Sequence, residues 1–263
     1  MEYVVRAATS KGRGHRENED CYLCNDRFIV LADGMGGESD GEVASKLAVD
    51  TVSSILKNGL SDDMAADELQ RLAFDAIHKA DDCIMSHVAD EPSAAGMGTT
   101  IVILIRQKQN LYIAWCGDSR CYVYNPKRGI HSLTKDHSYI QDLVDAGRIT
   151  VDESYTHPDS NLITRFVGGG PDTCIPDFTV YCLNPRDIVV ACSDGLSGYC
   201  RDRAIEVQIE DTADKGQLPV ALLNLALAQG SDDDITVITL MSQNGSRLSE
   251  GSLFGWLKRK YRP

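Results

Sequence analysis

The sequence predicts an α+β fold in which antiparallel sheets carry helices on their outer sides. Short apolar runs rich in β-branched residues come in clusters and do not alternate singly with helices, which argues against a parallel doubly wound sheet. Two long stretches between the strand clusters carry apolar residues at helical spacing. The 263 residues, 43% hydrophobic and 25% charged, suffice for one large domain with its own core.

Residues 3–8 and 21–32 read as strands; Phe28-Ile29-Val30-Leu31-Ala32 is too short for a helix and stops at Asp33-Gly34. Over 41–57 a helix places Val43, Leu47, Thr51 and Ile55 on one face, with Ala44 and Ala48 beside them. A second helix over 65–88 buries Leu69, Leu72, Ala73, Ala76, Ile77, Ala80, Ile84 and Val88. Strands follow at 99–106, 111–115, 120–124 and 130–133, joined by turn-like 107–110 and 125–129. A short helix over 138–147 leads into the polar stretch 148–161, which holds His157-Pro158 and reads as a surface loop or flap. Strands at 177–182 and 187–192, helices near 201–209 and 217–228, and a strand over 235–240 complete a domain spanning 1–242.

The formal charge of −13 opposes wrapping of nucleic acid, whose phosphates it would repel. No run approaches the roughly 20 apolar residues that span a bilayer, and no apolar signal segment follows Met1. Nine scattered cysteines, an odd number, predict free thiols in a reducing cytoplasm. Residues 243–263 carry a net +4 against −17 for the rest. Leu253, Phe254, Trp256 and Leu257 precede Lys258-Arg259-Lys260, so this short basic, amphipathic tail is expected either to dock on an acidic partner, an anionic membrane or its own domain, or to be a frayed, solvated end.

The informative pattern is where apolar runs end. FIVLA runs into Asp33-Gly34, LYIAWC into Gly117-Asp118, and DIVVACS into Asp194-Gly195. Asn18-Glu19-Asp20 precedes one strand, and Asp232-Asp233-Asp234 another. One Asp-Gly is usually only a turn. Five acidic strand tips on one domain would crowd like charges together unless a cation sat between them. All-oxygen ligands select hard divalent ions such as Mg²⁺, Mn²⁺ or Ca²⁺. Two such ions carry a charge that about four carboxylates balance, and a two-metal site suits phosphoryl chemistry.

These residues, in this order, resemble the metal-dependent protein phosphatases of the PP2C (PPM) family in its compact bacterial form. The blocks are Asn18-Glu19-Asp20, Ala32-Asp33-Gly34-Met35-Gly36-Gly37, Gly96-Met97-Gly98-Thr99-Thr100, Gly117-Asp118-Ser119-Arg120, Leu133-Thr134-Lys135-Asp136-His137-Ser138, Ser193-Asp194-Gly195-Leu196 and Asp233-Asp234-Ile235-Thr236-Val237. The blocks run from Asn18 to Val237, and the resemblance as a whole covers roughly residues 3–241. The resemblance implies a four-layer α-β-β-α sandwich with the metals in a cleft at one end of the sheets. It implies that Asp33 bridges two Mg²⁺ or Mn²⁺ ions, that Glu19 and the Gly34 carbonyl hold one, and that Asp194 and Asp233 hold the other. Asp118 would help bind a weaker third ion. Asp20, Asp136 and Asp234 would stand behind the ligands and orient them. The implied reaction is hydrolysis of phosphoserine and phosphothreonine in proteins, without a phosphoenzyme, by a monomer whose substrates come from a serine/threonine kinase.

The sequence departs from the family in places. Many members carry a phosphate-binding arginine at the position of His15, so His15, Arg13 and Arg16 are the candidates for that contact. Met35 stands where eukaryotic members often have a histidine, and Asp234 where asparagine is more usual. A catalytically weak, phosphoprotein-binding relative of such enzymes is the alternative reading. Cys21 and Arg27 satisfy the bare C-x5-R spacing of cysteine phosphatases, but the residues between them lack glycine and read as a strand. Cys21 and Cys24 form a C-x-x-C whose members face opposite sides of a strand and read as packed thiols. His137 is expected to help organise the cleft, and Gly168-Gly169-Gly170 to form a turn.

Overall fold

The computed structural model describes residues 3–13, 15–36 and 40–242; Gly37 and the tail 243–263 lie outside the described residues. The strands are β1 (Tyr3–Ser10), β2 (Asp20–Cys24), β3 (Phe28–Met35), β4 (Gly98–Thr99), β5 (Ile101–Gln107), β6 (Asn110–Cys116), β7 (Arg120–Asn125), β8 (Gly129–Ser132), β9 (Asp177–Cys182), β10 (Ile188–Cys192) and β11 (Ile235–Ser242). The helices are α1 (Asp40–Gly59), α2 (Ala66–Asp90), α3 (Tyr139–Asp145), α4 (Val151–Ser154), α5 (Asp194–Ser197), α6 (Asp202–Asp211) and α7 (Leu218–Ala228). One sheet runs β1-β11-β10-β7-β8 and the other β2-β3-β5-β6-β9, with β4 on the end of β3. Every pairing among the described strands is antiparallel.

Alternation along the strands explains why they read as unbroken apolar runs. In β3, Ile29 and Leu31 face the opposite sheet, while Phe28, Val30 and Ala32 face α1 and α2. In β10, Val189 and Ala191 point between the sheets, while Ile188, Val190 and Cys192 meet α6 and α7. Both faces of each central strand are therefore covered, giving three apolar layers between four layers of structure. Each fully buried Leu, Ile or Val contributes roughly 1.5–3 kcal/mol to this arrangement.

α1 and α2 form where the 3.6-residue pattern places them, but the buried stripe of α1 is rotated from the expected one. Ala44, Ala48, Val52 and Leu56, with Val49, are buried, whereas Val43, Leu47 and Ile55 are only partly so. The two alanines let the helix axis come close to the sheet, and the larger side chains flank that contact. The flap region holds a helical turn, α4, that no apolar periodicity announces.

Candidate metal centre

The acidic strand tips meet at one rim of the sandwich. Asp20 opens β2 directly opposite Asp33 in β3. The backbone of Asp33 is fixed by hydroxyl-bearing neighbours. Its N–H donates to Thr100 Oγ1 (3.1 Å), and its carbonyl accepts from Thr100 N–H and Thr99 Oγ1, both at 2.8 Å. Thr100 Oγ1 also bonds Ser119 Oγ at 2.8 Å, which ties this strand end to the loop of Asp118.

Close approach at Glu19 depends on two glycines. Gly34 N–H donates to the Glu19 carbonyl (3.1 Å), and a Cβ on Gly34 would stand 2.0 Å from the Gly41 carbonyl oxygen. A Cβ on Gly41 would stand 2.2 Å from Glu19 Oε2, so the Glu19 carboxylate nests against the first turn of α1. On the other sheet, Ser193 directly follows β10 and serves two partners. Its Oγ donates to Asp20 Oδ2 (2.8 Å) and accepts from Thr236 N–H (2.9 Å). Asp194 then opens the one-turn helix α5.

The loop of Asp118 is held from below. Gly117 has φ +119°, and a Cβ there would lie 2.6 Å from Thr100 Cβ, so only glycine fits. His137 Nδ1 accepts the Gly117 N–H (3.1 Å) and Nε2 bonds Asp177 (3.2 Å), which puts the ring proton on Nε2. The His137 ring stacks on Trp115 at 6.0 Å between centroids. Asp136 is gripped by Arg120 through both carboxylate oxygens, with Nε at 2.8 Å from Oδ1 and Nη2 at 2.6 Å from Oδ2. Trp115 Nε1 donates to the Lys135 carbonyl (2.8 Å) and anchors that segment.

Asp234 is buried and acts as a staple. It accepts the N–H groups of Gly12 and Glu19, each at 2.7 Å, and bonds His15 Nδ1 at 3.1 Å. Its carboxylate faces the chain that carries Glu19. His15 is half-buried against it, while Arg13 and Arg16 are exposed.

Gathering these carboxylates strains their ionisation. Burial, reinforced by Asp20 and Asp194, pushes Asp33 well above the usual carboxylate range. Burial and then Asp194 and Asp136 do the same to Asp118. Asp20 is pushed up to about 8 and Asp194 to about 6, burial leading in both. Glu19 and Asp233 are raised too, again by burial first. Asp20 Oδ1 and Asp118 Oδ1 are buried with no hydrogen-bond partner. The ring is open: among the described residues no three acidic, imidazole or thiol groups already close on one point. The donor set nevertheless fits hard divalent cations, which would supply the counter-charge that the oxygens lack. A cleft of about 390 Å³ adjoins the ring, lined by Asp118, Asp194 and Asp233 on one side and by Ser154, Tyr155 and Asn161 of the flap on the other.

The C-x5-R spacing is a chance match, as the strand reading of these residues implied. Cys21 lies on β2, and the Arg27 guanidinium donates to the Leu60 carbonyl and to Asp62, away from the acidic rim. All nine cysteines are free thiols; Cys21 and Cys24 are half-buried. Ser193 and the Thr100–Ser119 pair lie inside the quoted sequence blocks, but their supporting roles carried no periodic or charge signal. Tyr155 had none at all.

Comparison with known proteins agrees with this geometry. The family model for protein phosphatase 2C matches residues 15–216. The serine/threonine protein phosphatase PstP of Mycobacterium tuberculosis is 34% identical over 239 residues, covering 89% of this chain and 44% of PstP; the chain thus spans less than half the length of that relative. The serine/threonine phosphatase stp of Listeria welshimeri is 29% identical, covering 88% of this chain and 92% of its own. A crystal structure of the PstP catalytic domain in complex with two manganese ions superposes with a TM-score of 0.79 at 30% identity, covering 91% of this chain and 98% of that one. With the sandwich, the acidic rim and the ordered motif blocks in place, this chain belongs to the protein phosphatase 2C family.

Proposed function

We propose that this chain is a Mg²⁺- or Mn²⁺-dependent protein-serine/threonine phosphatase acting on phosphoserine and phosphothreonine in proteins. The observation that carries the reading is the convergence of Glu19, Asp33, Asp194 and Asp233 from four separate strand tips, with raised proton affinity caused by burial and by one another. Asp33 would bridge two ions, Glu19 and the Gly34 carbonyl would hold one, Asp194 and Asp233 the other, and Asp118 a weaker third. When bound, such ions supply hydroxide at neutral pH and offset charge on the transferring phosphoryl group. Asp20 and Asp234 orient the ligands, Asp20 through Ser193 and Asp234 through the Glu19 backbone. Asp136 is held beside the ring by Arg120. His15, with Arg13 and Arg16 close by, forms the cationic edge that meets substrate phosphate; burial lowers the pKa of His15, but its bond to Asp234 raises it more.

The chemistry requires a serine/threonine kinase to make the substrate. Residues 1–242 form the catalytic domain and 243–263 an appended tail. Among the described residues no helix is long and apolar enough to cross a membrane, and we assign the enzyme to the cytoplasm as a monomer. Hydrolysis of p-nitrophenyl phosphate and of a phosphoserine peptide tests the reading. Activity should require Mn²⁺ or Mg²⁺, vanish in EDTA, and fall at least about a hundredfold in Asp33→Asn and Asp194→Asn. Turnover that survives EDTA and both substitutions would overturn it. His15→Gln should raise KM about threefold to tenfold with less effect on kcat.

A further inference from the structure

The end of the sandwich opposite the acidic rim carries the reverse charge. Arg120 and Cys192 pair at the rim end of β7 and β10, beside Asp118 and Asp194, so the turns 125–129 and 183–187 at the other ends of these strands lie roughly 25 Å away. Lys127, Arg128 and Arg186 are exposed on these two turns and surround a hollow of about 360 Å³ with Asn125, Asn184 and Pro185. The carboxylate on these turns is withdrawn from the surface. Asp187 is buried, accepts from the Asn125 side chain (2.6 Å) and the Asn184 N–H (2.7 Å), and faces Arg128 at 3.4 Å. Beside the first turn, Glu206 pairs with Arg203 and Glu210 bonds the Tyr124 hydroxyl.

The described chain leaves the domain at this same end. Ser242, the last residue of β11, donates its hydroxyl to the Pro185 carbonyl (2.7 Å). Its strand partner Tyr3 lies under the Arg106 guanidinium, 5.0 Å from the ring centroid. Residues 243–263 follow, with Leu253, Phe254, Trp256 and Leu257 beside Lys258-Arg259-Lys260. Pole and tail share a sign, so they repel one another and fit one anionic surface together. Aromatic and aliphatic side chains next to a basic run are the composition that enters the interface of a bilayer, whereas an acidic protein would meet the cations and leave those apolar groups in water. The net −17 of residues 1–242 does not oppose this, because the acidic rim stands about three screening lengths from the cationic pole at physiological salt.

We propose that the pole formed by Lys127, Arg128 and Arg186 is a docking surface for an anionic phospholipid bilayer, with the apolar and basic residues of the tail as its second anchor. A short apolar patch or a few cations alone bind a bilayer only marginally; the two together hold. The protein is then peripheral to the membrane, and its carboxylate ring faces away from the lipid into solution.

Sedimentation of the full chain with vesicles tests this, using phosphatidylcholine alone and phosphatidylcholine with about a third phosphatidylglycerol. The wild type should bind the anionic vesicles at least about tenfold more strongly than the neutral ones, and high salt should release it. Lys127→Glu with Arg186→Glu should weaken that binding at least about tenfold, and Phe254→Ser with Trp256→Ser about tenfold. Both double variants should hydrolyse p-nitrophenyl phosphate with Mn²⁺ as the wild type does, which shows them folded. Wild-type binding that ignored lipid charge would overturn the proposal. So would unchanged binding in Lys127→Glu with Arg186→Glu, because the tail would then act alone. Tighter binding to soluble polyglutamate than to the vesicles at matched charge would make the partner an acidic protein and overturn it too. A tail variant that bound vesicles normally yet hydrolysed the aryl phosphate faster would place the tail on the acidic rim, with the same consequence.

Discussion

The residues that hold the site divide into acids that the sequence exposes and hydroxyls that it hides. Asp33, Asp118 and Asp194 were legible because each closes an apolar run, where a charge is conspicuous. Ser193 was not, because a serine at a strand end is common and its value lies in contacts across 43 residues to Thr236 and 173 to Asp20. Its hydroxyl satisfies a buried N–H and a buried carboxylate at once. Ser193→Ala should therefore cost about 1–3 kcal/mol in unfolding free energy, and weaken Mn²⁺ binding about tenfold or more by freeing Asp20. Chemical denaturation and metal titration read the two effects separately. Loss of stability with unchanged metal affinity would show that Asp20 needs no such partner. Asp187 illustrates the opposite ionisation from the rim. Burial alone would push its pKa up, but the Asn184 N–H, Asn125, the Asn184 side chain and Tyr181 together hold it below the usual value. Its contribution to stability is present above about pH 4 and lost as pH falls through the depressed pKa. Asp187→Asn should lower the Tm near neutrality, and the gap to wild type should narrow as pH falls below the ordinary carboxylate range.

At the scale of elements, length and period were legible and rotation was not. The strands were found because β-branched runs are too short for helices, and the two long helices because their apolar spacing persists for several turns. The face of α1 was placed one position off, since the pattern weighs Val43, Leu47 and Ile55 above the alanines. Contact with the sheet instead selects Ala44 and Ala48 for their size. The same close approach brings Gly41 against Glu19. In an ordinary helix, glycine to alanine gains up to about 1 kcal/mol. Here the added Cβ meets Glu19 Oε2 and must displace it. Gly41→Ala should keep its helical circular dichroism yet raise the metal concentration needed for half-maximal activity at least about tenfold. An unchanged metal requirement would mean that Glu19 is not a ligand. Turns such as α4 and α5 escaped because one helical turn has no period to detect; α4 rests on the Thr150–Glu153 cap, and α5 on contacts from a distant segment such as Ser231 Oγ donating to the Gly195 carbonyl.

For the whole molecule, the repeated acidic strand ends suggested a shared cation, but their placement on one rim came only from the resemblance, because composition and periodicity do not say which ends of which strands meet. The antiparallel pairings decide it, and they leave a domain of marked acidity with its most crowded charges at one pole. That crowding couples metal, pH and stability. A carboxyl whose pKa is higher in the folded than in the unfolded protein stabilises the fold while protonated, and that contribution is lost as pH rises through the folded value. Asp194 leaves its ordinary 3.8 for about 6, and Asp20 for about 8, so the metal-free fold should lose stability between about pH 4 and pH 8. Bound divalent ions reverse this by accepting the ionised forms, and their binding releases protons. The Tm gained on adding Mn²⁺ over EDTA should therefore be small near pH 5 and grow steadily to pH 8, with proton release measurable by calorimetry in buffers of different ionisation enthalpy. A gain independent of pH, without proton release, would show that the carboxyls are already ionised before the ions arrive, and that cation binding is not what relieves the crowded rim.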